Sequence, residues 1–190
     1  VPDHSVMATI PGGGITLITP IGIAVSPDGS RVYVANEGSI DVTVINAVTN
    51  TILAIIADPG DGSPGFNGPS GIAVHPAGTF VYVANSGLGA SAVSVINTVA
   101  LNAAIDAEIL AGTPLPVVVY GADAVVPVGA TPFGLAVDPS GDFVYVVNED
   151  SFSISVIETV GHTVVDTIPL PLGASVLGPI PFTIAVHPLL

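Results

Sequence analysis

One pattern recurs along this chain and limits its fold more than any other feature. It reads PIGIAVSPDGSRVYVANEGSIDVTVIN from Pro20, PSGIAVHPAGTFVYVANSGLGASAVSVIN from Pro69, TPFGLAVDPSGDFVYVVNEDSFSISVIE from Thr131 and PFTIAVHPLL from Pro181. Pro20, Pro69, Pro132 and Pro181 are separated by 49, 63 and 49 residues. A period of this size is the mark of a repeat architecture in which each unit is one supersecondary element. Within a unit, short runs of Val, Ile, Tyr and Ala are broken by Gly, Pro, Asn and Asp, which is the punctuation of strands and turns. No stretch shows a sustained helical period with caps, so the reading is all-β.

The strands of a unit are named a to d in order. Strand a is expected at 22–25, 71–74, 134–137 and 183–186, and strand b at 32–35, 81–84 and 144–147. Strand c is expected at 42–45, 92–96 and 154–157, and strand d at 5–10, 51–57, 123–128 and 163–170. In the a–b turn, Pro27, Pro76 and Pro139 preset φ at the first corner. Gly29, Gly78 and Gly141 follow two residues later and take positive φ, as a type I turn with a glycine bulge requires. Asn36, Asn85 and Asn148 end strand b and are expected to bond local backbone. Tyr33, Tyr82 and Tyr145 are expected to pack between neighbouring units.

These units resemble the YVTN β-propeller repeat, with its P-x-G-h-A-V-x-P-D-G, h-Y-V-x-N and V-S-V-I-D segments. The resemblance implies four-stranded antiparallel blades of secreted or cell-surface type. Read this way, residues 1–190 form a single partial propeller domain. Its blades lie at about 20–57, 69–128 and 132–170, with orphan strands at 5–10 and 181–187. Closed propellers have about 4–8 blades, and three cannot close a ring. Three accounts of the open ends are expected: a fragment of a longer propeller, an assembly of copies, or an atypical closed form using the long connectors. Assembly is the leading one. Its edges are Val6, Ala8 and Ile10 at one end and Ile184 and Val186 at the other, joined by strand complementation. Lys guards exposed sheet edges in many proteins, and this chain has none.

Composition narrows the function. Arg31 is the only basic residue against fifteen acidic ones, giving a net charge of −14. Such a balance opposes nucleic-acid binding, which needs cationic side chains for phosphates, and docking on anionic headgroups. Only 8% of residues are charged, and mean hydropathy is +0.81. No apolar run approaches the roughly 18 residues of a membrane span, so no membrane insertion is expected. Without Cys there is no disulfide or thiolate chemistry. The chain begins at Val1, which fits a processed, secreted protein or a fragment.

Connectors carry the candidate sites. In DPGDGSPGFNG, residues 58–68, the oxygens of Asp58, Asp61 and Asn67 are of the kind calcium favours, although the spacing departs from the EF-hand loop. No other cofactor is expected. His75 and His187 share one repeat position, which has two readings: a pair of imidazoles gathered on a metal in an assembly or, as the expected one, a histidine serving the hairpin turn. Val117–Tyr120, in the longest connector, has the makings of an extra edge strand. There is no nucleophile elbow, metalloprotease helix or phosphate loop. Lactonase-like relatives of the YVTN propellers use Arg and His pocket residues, and Arg31 alone offers little for that carry-over. The expectation is a non-enzymatic extracellular structural protein that self-assembles into a filament or sheath. The alternative is a ligand- or protein-binding propeller module within a larger surface protein.

Overall fold

A computed structural model describes residues 6, 9–10, 17–57, 65–120 and 122–171. Three antiparallel four-stranded blades stand side by side, the first extended at its outer edge by a fifth, parallel strand. Blade 1 comprises β1 (Pro20–Val25), β2 (Arg31–Asn36), β3 (Asp41–Asn46) and β4 (Thr51–Ala57). In blade 2 the strands are β5 (Pro69–Val74), β6 (Phe80–Asn85), β7 (Ala92–Asn97) and, after an insertion, β9 (Ala124–Pro127). Blade 3 holds β10 (Pro132–Val137), β11 (Phe143–Asn148), β12 (Ser153–Glu158) and β13 (Thr163–Pro169). The array is open, as an incomplete β-propeller is.

The a–b turns form as their sequence dictates. Gly29, Gly78 and Gly141 have φ of +71°, +71° and +84°. Their N–H groups donate to the carbonyls of Ser26, His75 and Asp138 at 2.8, 2.7 and 3.0 Å, closing the four-residue turn. In the first turn the Asp28 carboxylate collects Ser26 Oγ–H, Ser30 N–H and Ser30 Oγ–H, at 2.5, 3.0 and 2.8 Å. These bonds, that from Ser26 foremost, hold its pKa down to about 2.

Inner strands β1, β5 and β10 carry the joints between blades. There the glycine of the repeat has a second role, that of letting two backbones meet. A Cβ on Gly22 would lie 2.1 Å from Ser70 O, and one on Gly71 would lie 2.1 Å from Phe133 O. Apolar side chains fill the rest of each joint. Tyr33, Val42 and Val44 of blade 1 pack with Ile72, Val81 and Val83 of blade 2, and Tyr82, Val93 and Val95 pack in turn with Leu135, Val144 and Val146 of blade 3. Each such side chain contributes roughly 1.5–3 kcal/mol by leaving water. Burial pushes the Tyr82 hydroxyl up to about 12.

Two expectations need correction. Residues 98–110, read as irregular connector, form a helix, α1 (Thr98–Leu110). Asn97 caps it, its Oδ1 accepting from Val99 and Ala100 N–H at 2.9 and 3.2 Å, and Ala and Leu favour it. The opening strand read over 5–10 does not appear at its described residues: Val6, Thr9 and Ile10 lie in no strand. Ile10 instead packs on the free face of blade 1, and Val6 is exposed. Ala8, Ile184, Val186 and the closing strand at 181–187 lie outside the described residues.

The edge strand expected at Val117–Tyr120 does form, as β8 (Val117–Tyr120), but on the neighbouring blade. It pairs in parallel with Ala54–Ala57 of β4, so the insertion of blade 2 reaches back to the outer edge of blade 1.

Candidate functional site

Each blade ends in two kinds of loop. At one end the d–a connector lies beside the b–c loop, where Glu37, Ser86 and Glu149 N–H donate to the carbonyls of Thr19, Gly68 and Thr131 at 3.0, 2.9 and 3.0 Å. The a–b and c–d turns lie at the other end. Arg31, at the start of β2, belongs to that second end, and its Nε is buried with no hydrogen-bond partner among the described residues.

The repeated Asn is the polar hub of the first end. It is buried in all three blades and reaches across to a hydroxyl on strand c. Asn36 Nδ2 donates to Asp41 Oδ1 at 2.7 Å and Thr43 Oγ1 at 2.9 Å. In blade 2, Asn85 Nδ2 donates to Ser94 Oγ at 2.9 Å, and in blade 3 Asn148 Nδ2 donates to Ser153 and Ser155 Oγ at 3.1 and 2.9 Å. These bonds lock the b–c loop. They extend the local-backbone role read from the sequence, since the main partners are side chains on the next strand.

Of the calcium candidates, Asp58 and Asp61 lie outside the described residues. Asn67 is placed, and its main chain serves the hub: its N–H donates to Asn85 Oδ1 at 3.0 Å, and its carbonyl accepts from Gly87 N–H at 3.0 Å. Among the described residues no three His, Cys, Asp or Glu side chains gather as a metal site.

His75 has its turn role. Its Nδ1 accepts from Ala77 N–H at 3.0 Å, so Nε2 carries the proton and donates to Gly141 O of blade 3 at 2.9 Å. His187 lies outside the described residues. A third histidine, His162, immediately precedes β13. It sits edge-on to Phe80 with centroids 4.7 Å apart, and its Nδ1 is 3.5 Å from Tyr82 Oη. Burial, then the proximity of His75, lowers its pKa. The unfolded chain therefore takes up this proton at a higher pH than the folded one. Stability from this group is whole above the unfolded value of about 6.5 and falls as pH drops through it, levelling below the lowered folded value. Thermal melts from neutral to mildly acidic pH are expected to show this loss, and His162→Phe is expected to flatten it.

Along the blade 2–blade 3 joint, at the connector end, a groove of about 550 Å³ runs between Pro127, Val128 and Gly129 on one side and Ser151, Ser153, Ser155, Val164, Thr167 and Pro169 on the other.

The profile of the family described as "Lactonase, 7-bladed beta-propeller" matches residues 19–165. The chain belongs to this family. No curated protein shows significant similarity to this lactonase-family propeller. Among solved structures it is similar to Kuenenia stuttgartiensis hydrazine synthase, with 25% identity, a TM-score of 0.61 and coverage of 84% of this chain and 39% of that one. It is also similar to U3-55K, with 14% identity, a TM-score of 0.62 and coverage of 81% and 40%. The RRP9 WD40 repeats follow, with 14% identity, a TM-score of 0.59 and coverage of 81% and 39%. The last two likenesses speak to fold alone. The lactonase-family propeller seen here thus spans about two fifths of the structures it matches.

Proposed function

We propose that this chain is a non-catalytic, extracellular propeller module of YVTN type that works by binding, and that its first partner is a second copy of itself, stacked blade on blade. One observation carries the reading. Ile23, Ile72 and Leu135 occupy the same repeat position. Ile72 and Leu135, each backed by a preceding blade, are 8% exposed, whereas Ile23, with none among the described residues, is 69% exposed. The far end of the array has the same character: Tyr33 and Tyr82 are buried, while Tyr145 on blade 3 is only half-buried. One free face, open at Ile23 although Ile10 packs on the buried Val34, Ile45, Ile52 and Ile55 of the same face, therefore has the form of a joint's front, and the other that of its back. Heterologous contacts of this kind close into rings or propagate as filaments.

Two facts support a binding role over catalysis. The only Arg lies at the turn end, away from the connectors, and the groove beside the connectors is walled by Ser, Thr, Pro and Val. A second reading draws on the seven-blade family: the same faces are covered by further blades of one larger ring, and the module binds a ligand or protein there.

Sedimentation velocity from low to high micromolar concentration tests the proposal. Mass is expected to rise with concentration, and more steeply in high salt, because screening relieves repulsion between copies of charge −14. A monomer at every concentration contradicts self-association, and hydrolysis of a sugar lactone above the unfolded control contradicts the non-catalytic role.

A further inference from the structure

The groove beside blade 3 has a counterpart at blade 2 that is already filled. There the connector places Gly65, Phe66 and Asn67 against the hub. Ser94 Oγ–H donates to Gly65 O at 2.6 Å, Asn67 N–H donates to Asn85 Oδ1 at 3.0 Å, and the Phe66 ring is buried in the joint with blade 1. A carbonyl, an aromatic side chain and an N–H on three successive residues thus satisfy one acceptor, one hydroxyl and one apolar cleft.

Blade 3 repeats the receptor without the plug. Asn148 stands for Asn85, and Ser155, which pairs with Val146, stands for Ser94, which pairs with Val83. Three residues before the blade's first proline, Gly129 stands where Phe66 does. A Cβ there would lie 2.6 Å from Asn148 Cγ, so this connector hugs the hub and offers no side chain to the cleft. The next N–H, that of Ala130, is already given to Ser151 Oγ at 2.7 Å. Asn148 Oδ1, like Asn36 Oδ1 in blade 1, is left buried with no partner among the described residues. Such an orphan acceptor is uncommon in a native interior. Beside it lie the buried Ser153 and Ser155 and the apolar walls Pro127, Val128, Val164 and Pro169.

We propose that this groove is a binding site for an extended segment of another polypeptide carrying an aromatic residue. The residue before the aromatic supplies a carbonyl to the Ser155 hydroxyl, and the ring enters between Val128 and Val164, both of which line the groove with Ser155. The connector of blade 3, residues 128–131, cannot do this itself: its successive N–H groups are given to Ser91 O, Ser155 Oγ, Ser151 Oγ and Ala90 O, and Thr131 O accepts from Glu149 N–H. The site lies at a joint within one chain, so it goes beyond the stacking of copies and stands or falls apart from it.

The test uses the isotope-labelled full chain and a blocked peptide with the sequence of residues 62–69, which contains Gly-Phe-Asn. Titration followed by NMR is expected to give saturable shifts at residues 127–129, 151–155 and 164–169. Replacing the peptide's Phe by Ala, or Val164→Trp in the protein to fill the cleft from an exposed wall, is expected to weaken binding at least about tenfold, the loss of one buried anchor. Ser155→Ala is expected to weaken it less, with the thermal melt preserved. Three results overturn the proposal: no saturable shift at millimolar peptide with the protein folded, equal binding of the Ala peptide, or shifts centred elsewhere.

Discussion

Gly71→Ala is expected to destabilise the protein by about 3 kcal/mol or more, the upper end of what overpacking costs. The added Cβ would lie 2.1 Å from Phe133 O and 3.2 Å from Gly134 Cα. Both are main-chain atoms of the next blade's inner strand, so no rotamer change relieves the clash and the whole joint must open. Gly29→Ala is the matched control. It too replaces a repeated glycine, but nothing lies within 4 Å of its Cβ, so only the left-handed backbone at φ +71° opposes it, at about 1–2 kcal/mol. Urea unfolding of both variants measures the difference. Equal losses would mean that the blades do not meet backbone to backbone at β5 and β10.

The second large effect separates two copies of one repeat position. Ile72→Asp buries a carboxylate in an apolar joint with no partner to offset its desolvation, at several kcal/mol. Against a total stability of about 5–15 kcal/mol, that is enough to abolish cooperative folding or come close to it. Ile23→Asp changes the same position where it is open, so within one copy it is expected to stay within roughly 0.5 kcal/mol of the parent. Its effect is expected on association: a charge in the centre of the stacked face, added to a strongly acidic chain, should leave a folded monomer. Circular dichroism and sedimentation velocity read the two outcomes. An Ile23→Asp protein that associates like the parent would falsify stacking through this face.

Much of this fold is legible in the sequence because its signals are local. Pro27 and Gly29 specify a turn within four residues, and the alternation of Val32 and Tyr33 specifies a strand with two different faces. What could not be read depends on partners far along the chain. Nothing near Gly22 or Gly71 announces that a neighbouring backbone presses on it. Helix α1 was missed because its face is not amphipathic in pattern: Val99, Ile109 and Leu110 are exposed, which blurs the stripe made by Leu101 and Ile105. The signals that would have found it were the Asn97 cap, the Ala-rich run and Gly112 beyond its end. Strand β8 was visible as a strand, but its attachment to β4 is a long-range choice. The groove was hidden more deeply, since it arises from the difference between Phe66 and Gly129. That difference acquires meaning only when the hubs of two blades are superposed in space.

Ile23 offers the most direct measurement of the central claim, that the free blade faces are joints awaiting a blade of the same kind. With methyl-labelled protein and a soluble paramagnetic agent, the relaxation of the Ile23 methyls is compared with that of Ile72 as concentration is raised. Stacking predicts that Ile23 moves from strongly relaxed in dilute solution to shielded like Ile72 in concentrated solution. Ile23 methyls that stay fully accessible at every concentration, beside a constantly shielded Ile72, would contradict it.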